Sequence, residues 1–173
     1  MAGKSKESRA GSAPKLPRGL RILEGNAAAR KPKVALVVSR FNSRVTDHLL
    51  AGAVGVLKRH GAAPKDITVA RVPGAVELPI AAKALAMTGK YDAVVALGCV
   101  IRGDTTHYDY VCSMAAQGVL DAALDTGVPV IFGVLTTENL EQALERAEIN
   151  RGDKGGEAAL AALEMADLLG RIW

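Results

Sequence analysis

Residues 94–111 read VVALGCVIRGDTTHYDYV. From Val94 to Ile101 every position is apolar or glycine. Arg102 to His107 then supply six polar or glycine positions without a break, and apolar character returns at Tyr108. An uninterrupted apolar run suits a strand buried on both faces, which implies a parallel sheet covered by helices on each side. From His107 to Asp125, the residues Tyr108, Val111, Cys112, Ala115, Val119 and Ala122 fall on one helical face. The stretch therefore reads as a buried strand that hands a polar turn to the start of a helix.

Working outward, the same alternation recurs. KVALVVS (33–39) is a second buried strand, and RVTDHLLAGAVGVLKRHG (44–61) a helix with Val45, Leu49, Ala53, Val56 and Leu57 on its inner face and Gly61 as its stop. DITVARV (66–72) is a strand ended by Pro-Gly. AVELPIAAKALAMTG (75–89) reads as a helix, with Pro79 near its first turn where proline is tolerated. VPVIFGVLT (128–136) is the strand after the helix that follows His107. TENLEQALERA (137–147) opens at Thr137 as its cap, and GEAALAALEMADLLGRI (156–172) makes a final helix. Strand and helix alternate four times before that last helix. The expectation is one α/β domain over 33–173, an open parallel sheet of about four strands with helices on both faces. Ligands in such sheets bind beyond the carboxyl ends of the strands. That rule selects SRFN (39–42), VPGAVELP (72–79), IRGDTTHYD (101–109) and FGVLTTEN (132–139).

Composition narrows the partners. Residues 1–33 hold nine Lys or Arg against two acids, a net of +7, and the remainder holds 13 against 16, a net of −3. The basicity belongs to a leader, residues 1–32, that is short, rich in Gly, Ala and Pro and free of aromatics. It reads as a disordered solubilising extension rather than a nucleic-acid-binding face. No apolar run approaches the ~20 residues of a membrane span, and no signal peptide is evident. Cys99 and Cys112 have neither metal-ligand nor disulfide spacing, so reduced thiols in a cytoplasmic protein are expected, with no metal.

Each polar segment admits a plain reading beside a chemical one. Gly103, Asp104, Thr105 and Thr106 form a turn whose N–H groups and helix dipole suit an anion such as phosphate; ordinary helix capping needs the same residues. His107, in the first helical turn, is placed for proton exchange or simply faces water. Phe41 is a ring for stacking on a planar heterocycle or a staple onto the next helix. Gly74 and Ala75 allow close backbone approach, and Glu77 is a hydrogen-bond acceptor or a dipole-favoured first-turn acid. Arg146 suits bidentate phosphate recognition or is a solvated helix-end charge. Lys154 has the same ambiguity in a loop, and Phe132 can be core.

Taken together and in order, SRFN, VPGAVELP, GCVIRGDTTHYDYV, PVIFGVLTTEN and QALERA resemble the lumazine synthases. The likeness runs from about Lys33 to the end of the chain. It implies a flavodoxin-like fold, no cofactor, and condensation of 5-amino-6-(D-ribitylamino)uracil with 3,4-dihydroxy-2-butanone 4-phosphate. By that resemblance Phe41 stacks on the pyrimidine, and Ala75, Val76 and Glu77 hold the ribityl chain. Val100 and Ile101 line the base pocket, Gly103 to Thr106 take phosphate, and His107 transfers protons. Phe132, Arg146 and Lys154 match residues lent by a neighbouring subunit, with Arg146 on phosphate. The family assembles as pentamers and, in some members, as 60-subunit icosahedral shells. Two departures from its pattern are Asp104 inside the phosphate turn and Asn150 where some members carry lysine. The competing expectations are a non-catalytic flavin- or pterin-binding module and a shell-forming protein on the same fold.

Overall fold

The computed structural model describes residues 16–29 and 31–173. Four strands, β1 (Val34–Ser39), β2 (Ile67–Val72), β3 (Ala93–Ile101) and β4 (Val130–Thr137), form one parallel sheet in the order β2-β1-β3-β4. Five helices accompany them: α1 (Ser43–Arg59), α2 (Leu78–Met87), α3 (His107–Thr126), α4 (Leu140–Ala147) and α5 (Lys154–Ile172). This is the α/β, flavodoxin-like architecture expected from the alternating runs.

The two continuous apolar runs became the two central strands. Every residue of β1 is buried, and so is every residue of β3 except Ile101. Alternate side chains feed two cores. Val34, Leu36, Val38, Val95 and Leu97 pack with α1, α4 and α5, whereas Ala35, Val37, Val94 and Ala96 pack with α2 and α3. Leu36, Leu49, Leu57 and Leu97 are fully buried, and each such side chain contributes about 1.5–3 kcal/mol over leaving it exposed.

Strand order follows from this division of helices. The chain steps from β1 to β2 through α1 on one face, then returns across β1 to β3 through α2 on the other. Right-handed crossovers require that change of face when the direction of travel reverses. The loops leaving β1 and β3 therefore diverge, which opens a crevice at the carboxyl end of the sheet between them.

Several boundaries differ from the sequence reading. Helix α2 starts at Leu78, so Ala75–Glu77 lie in the turn before it and Pro79 is its second residue. Thr137 does not cap α4: it ends β4, is buried, and donates its hydroxyl to the Asn139 carbonyl at 3.1 Å. Its β-branched side chain favours the strand, and Asn139 takes the cap, its side-chain oxygen accepting from Gln142 N–H. Helix α5 starts at Lys154, because Asp153 caps it by accepting from Gly156 N–H. A 3₁₀ turn at Pro64–Asp66 was not anticipated. Residues 1–15 of the leader lie outside the described residues. Further along it, Asn26 N–H donates to the buried Asp167 carboxylate at 2.9 Å and Ala27 packs on the α1/α5 core, so this part of the extension is docked rather than free.

Candidate active site

Three strands deliver candidate residues to the crevice. After β1, Arg40 N–H donates to the Val72 carbonyl at 2.8 Å and Phe41 N–H to the Pro73 carbonyl at 3.0 Å. Asn42 then turns the chain with a left-handed φ of 59°, which asparagine tolerates better than most residues. Its side-chain amide donates to the Cys99 carbonyl of β3 at 2.9 Å. The backbone around Phe41 is thus tied to both neighbouring strands, yet the ring is 70% exposed. A staple would have buried it against α1.

After β2, Ala75 is buried, and Gly74, Val76 and Glu77 are half-buried. The Glu77 carboxylate makes no hydrogen bond among the described residues. A Cβ added at Gly74 would come within 3.1 Å of its Oε2, so glycine leaves room for that side chain.

At the end of β3, Val100 is buried and Ile101 half-buried. Arg102 N–H donates to the Thr137 carbonyl at 2.9 Å. Gly103, Asp104, Thr105 and Thr106 are exposed, and their N–H groups donate to nothing among the described residues. His107 opens α3, its N–H reaching only weakly to the Thr105 hydroxyl at 3.4 Å. Unengaged N–H groups at the positive end of a 20-residue helix are suited to an anion.

Arg102 was not anticipated as a site residue. Its Nε lies 2.9 Å from Glu138 Oε2, its Nη1 3.4 Å from Asp109 Oδ1, and its guanidinium carbon 4.0 Å from the Tyr108 ring centroid. The hydrogen bond to Glu138, chiefly, raises its pKa above the ordinary arginine value, and burial raises that of the Tyr108 phenol.

The remaining candidates gather elsewhere. Phe132, Arg146 and Lys154 line a groove of about 300 Å³ along β4, with Ala158 and Ala161 of α5. Phe132 is not beyond the carboxyl end of its strand: it is the third residue of β4, and it is 42% exposed because β4 is an edge strand. Arg146, in the last turn of α4, is exposed and makes no ion pair among the described residues. It also borders a polar cleft with Glu145, Arg151 and Glu157. Gly152 lies directly on its backbone, where a Cβ would come 2.6 Å from Arg146 Cα. Lys154 begins α5 rather than sitting in a loop, and pairs with Glu157 at 2.6 Å. None of the crevice residues lines the β4 groove, so one chain presents two separate half-sets.

Both thiols are poor nucleophiles at neutral pH. Burial pushes Cys99 up to about 11 and raises Cys112 as well. Among the described residues no group of three His, Cys, Asp or Glu is placed to hold a metal, and no helix is long and apolar enough to cross a membrane.

A comparison with protein families matches this chain to 6,7-dimethyl-8-ribityllumazine synthase over residues 31–170 of 173. The match takes in all four strands, the turn before α3, and both half-sets. With so much of its length covered, the chain belongs to the lumazine synthase family.

Proposed function

We propose that the protein is the transferase that condenses 5-amino-6-(D-ribitylamino)uracil with 3,4-dihydroxy-2-butanone 4-phosphate. The products are 6,7-dimethyl-8-ribityllumazine, phosphate and water, in riboflavin biosynthesis. The observation that carries this reading is the turn Gly103–Thr106, its N–H groups unengaged among the described residues, running straight into His107 beyond the carboxyl end of β3, within a chain of this family.

The residues divide the work as follows. The exposed ring of Phe41 stacks on the pyrimidine, and Val100 and Ile101 close the apolar side of its pocket. Gly74, Ala75 and Val76 let the backbone approach the ribityl chain, and Glu77, its carboxylate unengaged among the described residues, accepts hydroxyl hydrogen bonds. The turn N–H groups of Gly103, Asp104, Thr105 and Thr106 receive phosphate. The Asp104 side chain, exposed and without an ion pair among the described residues, leaves its N–H to do this.

The 5-amino nitrogen attacks the ketone carbon, and water leaves as the imine forms. His107 is placed to carry protons in this step and in the elimination that expels phosphate. The resulting enol tautomerises, and the ribityl-bearing nitrogen attacks the new carbonyl to close the ring with loss of water. Holding the two reactants together supplies roughly 7–11 kcal/mol of the barrier reduction. A single proton-transferring residue typically adds about 10²–10⁴-fold.

Phe132, Arg146 and Lys154 complete the site from a neighbouring subunit of a pentamer. Their separation from the crevice residues within one chain supports this. Arg146 is the phosphate grip, since its guanidinium is unpaired among the described residues. Asn150, within the 148–153 connection, adds no second cation there. The catalytic domain is residues 33–173, with 1–32 as an extension. The free thiols Cys99 and Cys112 favour a reducing, cytoplasmic setting.

Mixing the purified protein with both substrates tests the reading. The expected result is growth of lumazine fluorescence with stoichiometric release of inorganic phosphate. Binding of the pyrimidine or of a flavin without turnover would replace the enzyme by a ring-binding module.

A further inference from the structure

We infer that Arg102 is a positioning residue for the phosphate turn: clasped between Glu138, Asp109 and Tyr108, it holds Gly103–Thr106 in shape without gripping the anion itself. The inference rests on the function proposed above.

The turn has little else to hold it. Its four exposed residues donate no backbone hydrogen bond among the described residues, and nothing lies within 4 Å of where a Gly103 side chain would begin. One end is pinned by Arg102 N–H on Thr137 and the other by α3. Left so, the turn would have to be ordered each time an anion arrived, and that entropy would be subtracted from binding.

The Arg102 side chain spans the gap. It reaches forward to Tyr108 and Asp109 in the first turn of α3, and across to Glu138 just beyond β4. Glu138 is itself fixed, its N–H donating to Gln142 Oε1 at 3.0 Å. The planar guanidinium suits this task because it bonds through its edge and stacks through its face at once.

Charge argues against a direct grip. Two carboxylates already face the one guanidinium, so Arg102 has no unbalanced charge to offer phosphate. Arg146 has.

Glu138→Gln, Arg102→Gln and the double variant distinguish these roles, with inorganic phosphate as the probe. Its binding to the assembled protein is read by calorimetry, which needs no turnover, and the Michaelis constants for both substrates are measured beside it. A clasp predicts that each single substitution weakens phosphate roughly tenfold, the loss of one charge-assisted hydrogen bond. The double variant should be no worse than the poorer single one, because both act through one link. The Michaelis constant for the phosphate ester should rise while that for the pyrimidine holds. Were Arg102 a phosphate ligand, Glu138→Gln would release it and tighten binding, which overturns the inference. Unchanged phosphate affinity in both single variants overturns it as well. Glu138 is 60% exposed, so its substitution carries the test even if Arg102→Gln fails to assemble. A wild-type protein that binds phosphate but forms no lumazine would remove the proposed reaction, and calorimetry would still decide the clasp.

Discussion

Phe41, just beyond β1, and Cys99 of β3 are tied through Asn42, and their environments set opposite fates. The Phe41 ring stands in solvent with its backbone fixed on both sides, so under the proposed function its worth lies in what stacks upon it. Stacking of a base on an aromatic ring is worth roughly 1–3 kcal/mol. Phe41→Ala should therefore raise the dissociation constant for the pyrimidine by about tenfold or more, with a smaller change in the maximal rate, as equilibrium titration beside steady-state kinetics would show. Unchanged affinity with a lower rate would remove the stacking role. Cys99 is the reverse case: a thiol 2% exposed among aliphatic neighbours, its pKa pushed to about 11 from an ordinary 9.0. Above pH 9 the unfolded chain sheds a proton that the folded chain keeps. Stability should then fall as pH rises from about 9 to about 11, and be insensitive to this group below 9. Cys99→Ala should flatten that part of the alkaline limb relative to wild type when urea midpoints are compared across it. An identical slope in the two proteins would mean that the thiol ionises as readily folded as unfolded.

Helices α1 and α5 meet more closely than their side-chain volumes suggest. A Cβ at Gly155 would overlap the Leu49 carbonyl, and one at Gly52 would overlap the Asp153 carboxylate that caps α5. Gly155→Ala should therefore force the helices apart, at about 1–3 kcal/mol, and lower the thermal midpoint by several degrees. Gly103→Ala faces open space and should leave it unchanged. If both variants melt alike, backbone contact between these helices is not what limits their approach. The same crossing shows where a sequence stops being readable. Strands β1 and β3 were legible because burial on both faces writes an unbroken apolar run. The start of α5 was not, because its cap depends on Asp153 adopting a φ of 39°, which no apolar period reports. The beginnings of α2 and α4 were misplaced for a similar reason: Glu77 and Thr137 look like first-turn and cap residues, and only the extent of the turn and of β4 decides otherwise. In the candidate site, Phe41 and His107 could be singled out by the rule that ligands meet the carboxyl ends of strands. Phe132 could not be placed by that rule, since its exposure comes from β4 being an edge. The pairing of Arg102 with Glu138 joins residues far apart in sequence and needs the β3–β4 register to bring them together.

The two half-sets leave the single chain with His107 on one surface and Arg146, without an ion pair among the described residues, on another. His107 lies where β3 meets α3, whereas Arg146 lines the groove along the edge strand β4. If both serve one reaction, a second copy must bring its β4 groove to the crevice of the first. Complementation between damaged chains follows. A His107→Ala chain and an Arg146→Ala chain should each be poor alone. In a mixed ring, some interfaces will set the intact His107 of one chain against the intact Arg146 of its neighbour, and others will carry both lesions. Activity of the mixture should therefore exceed that of either variant, remain below wild type, and peak near equal proportions. Native mass spectrometry on the same samples must show that mixed rings have formed. A site built within one chain offers no intact combination at any ratio. Mixed rings with no gain over the separate variants would thus return Arg146 to a solvated charge at the end of α4, and the anion would be left to the turn before α3.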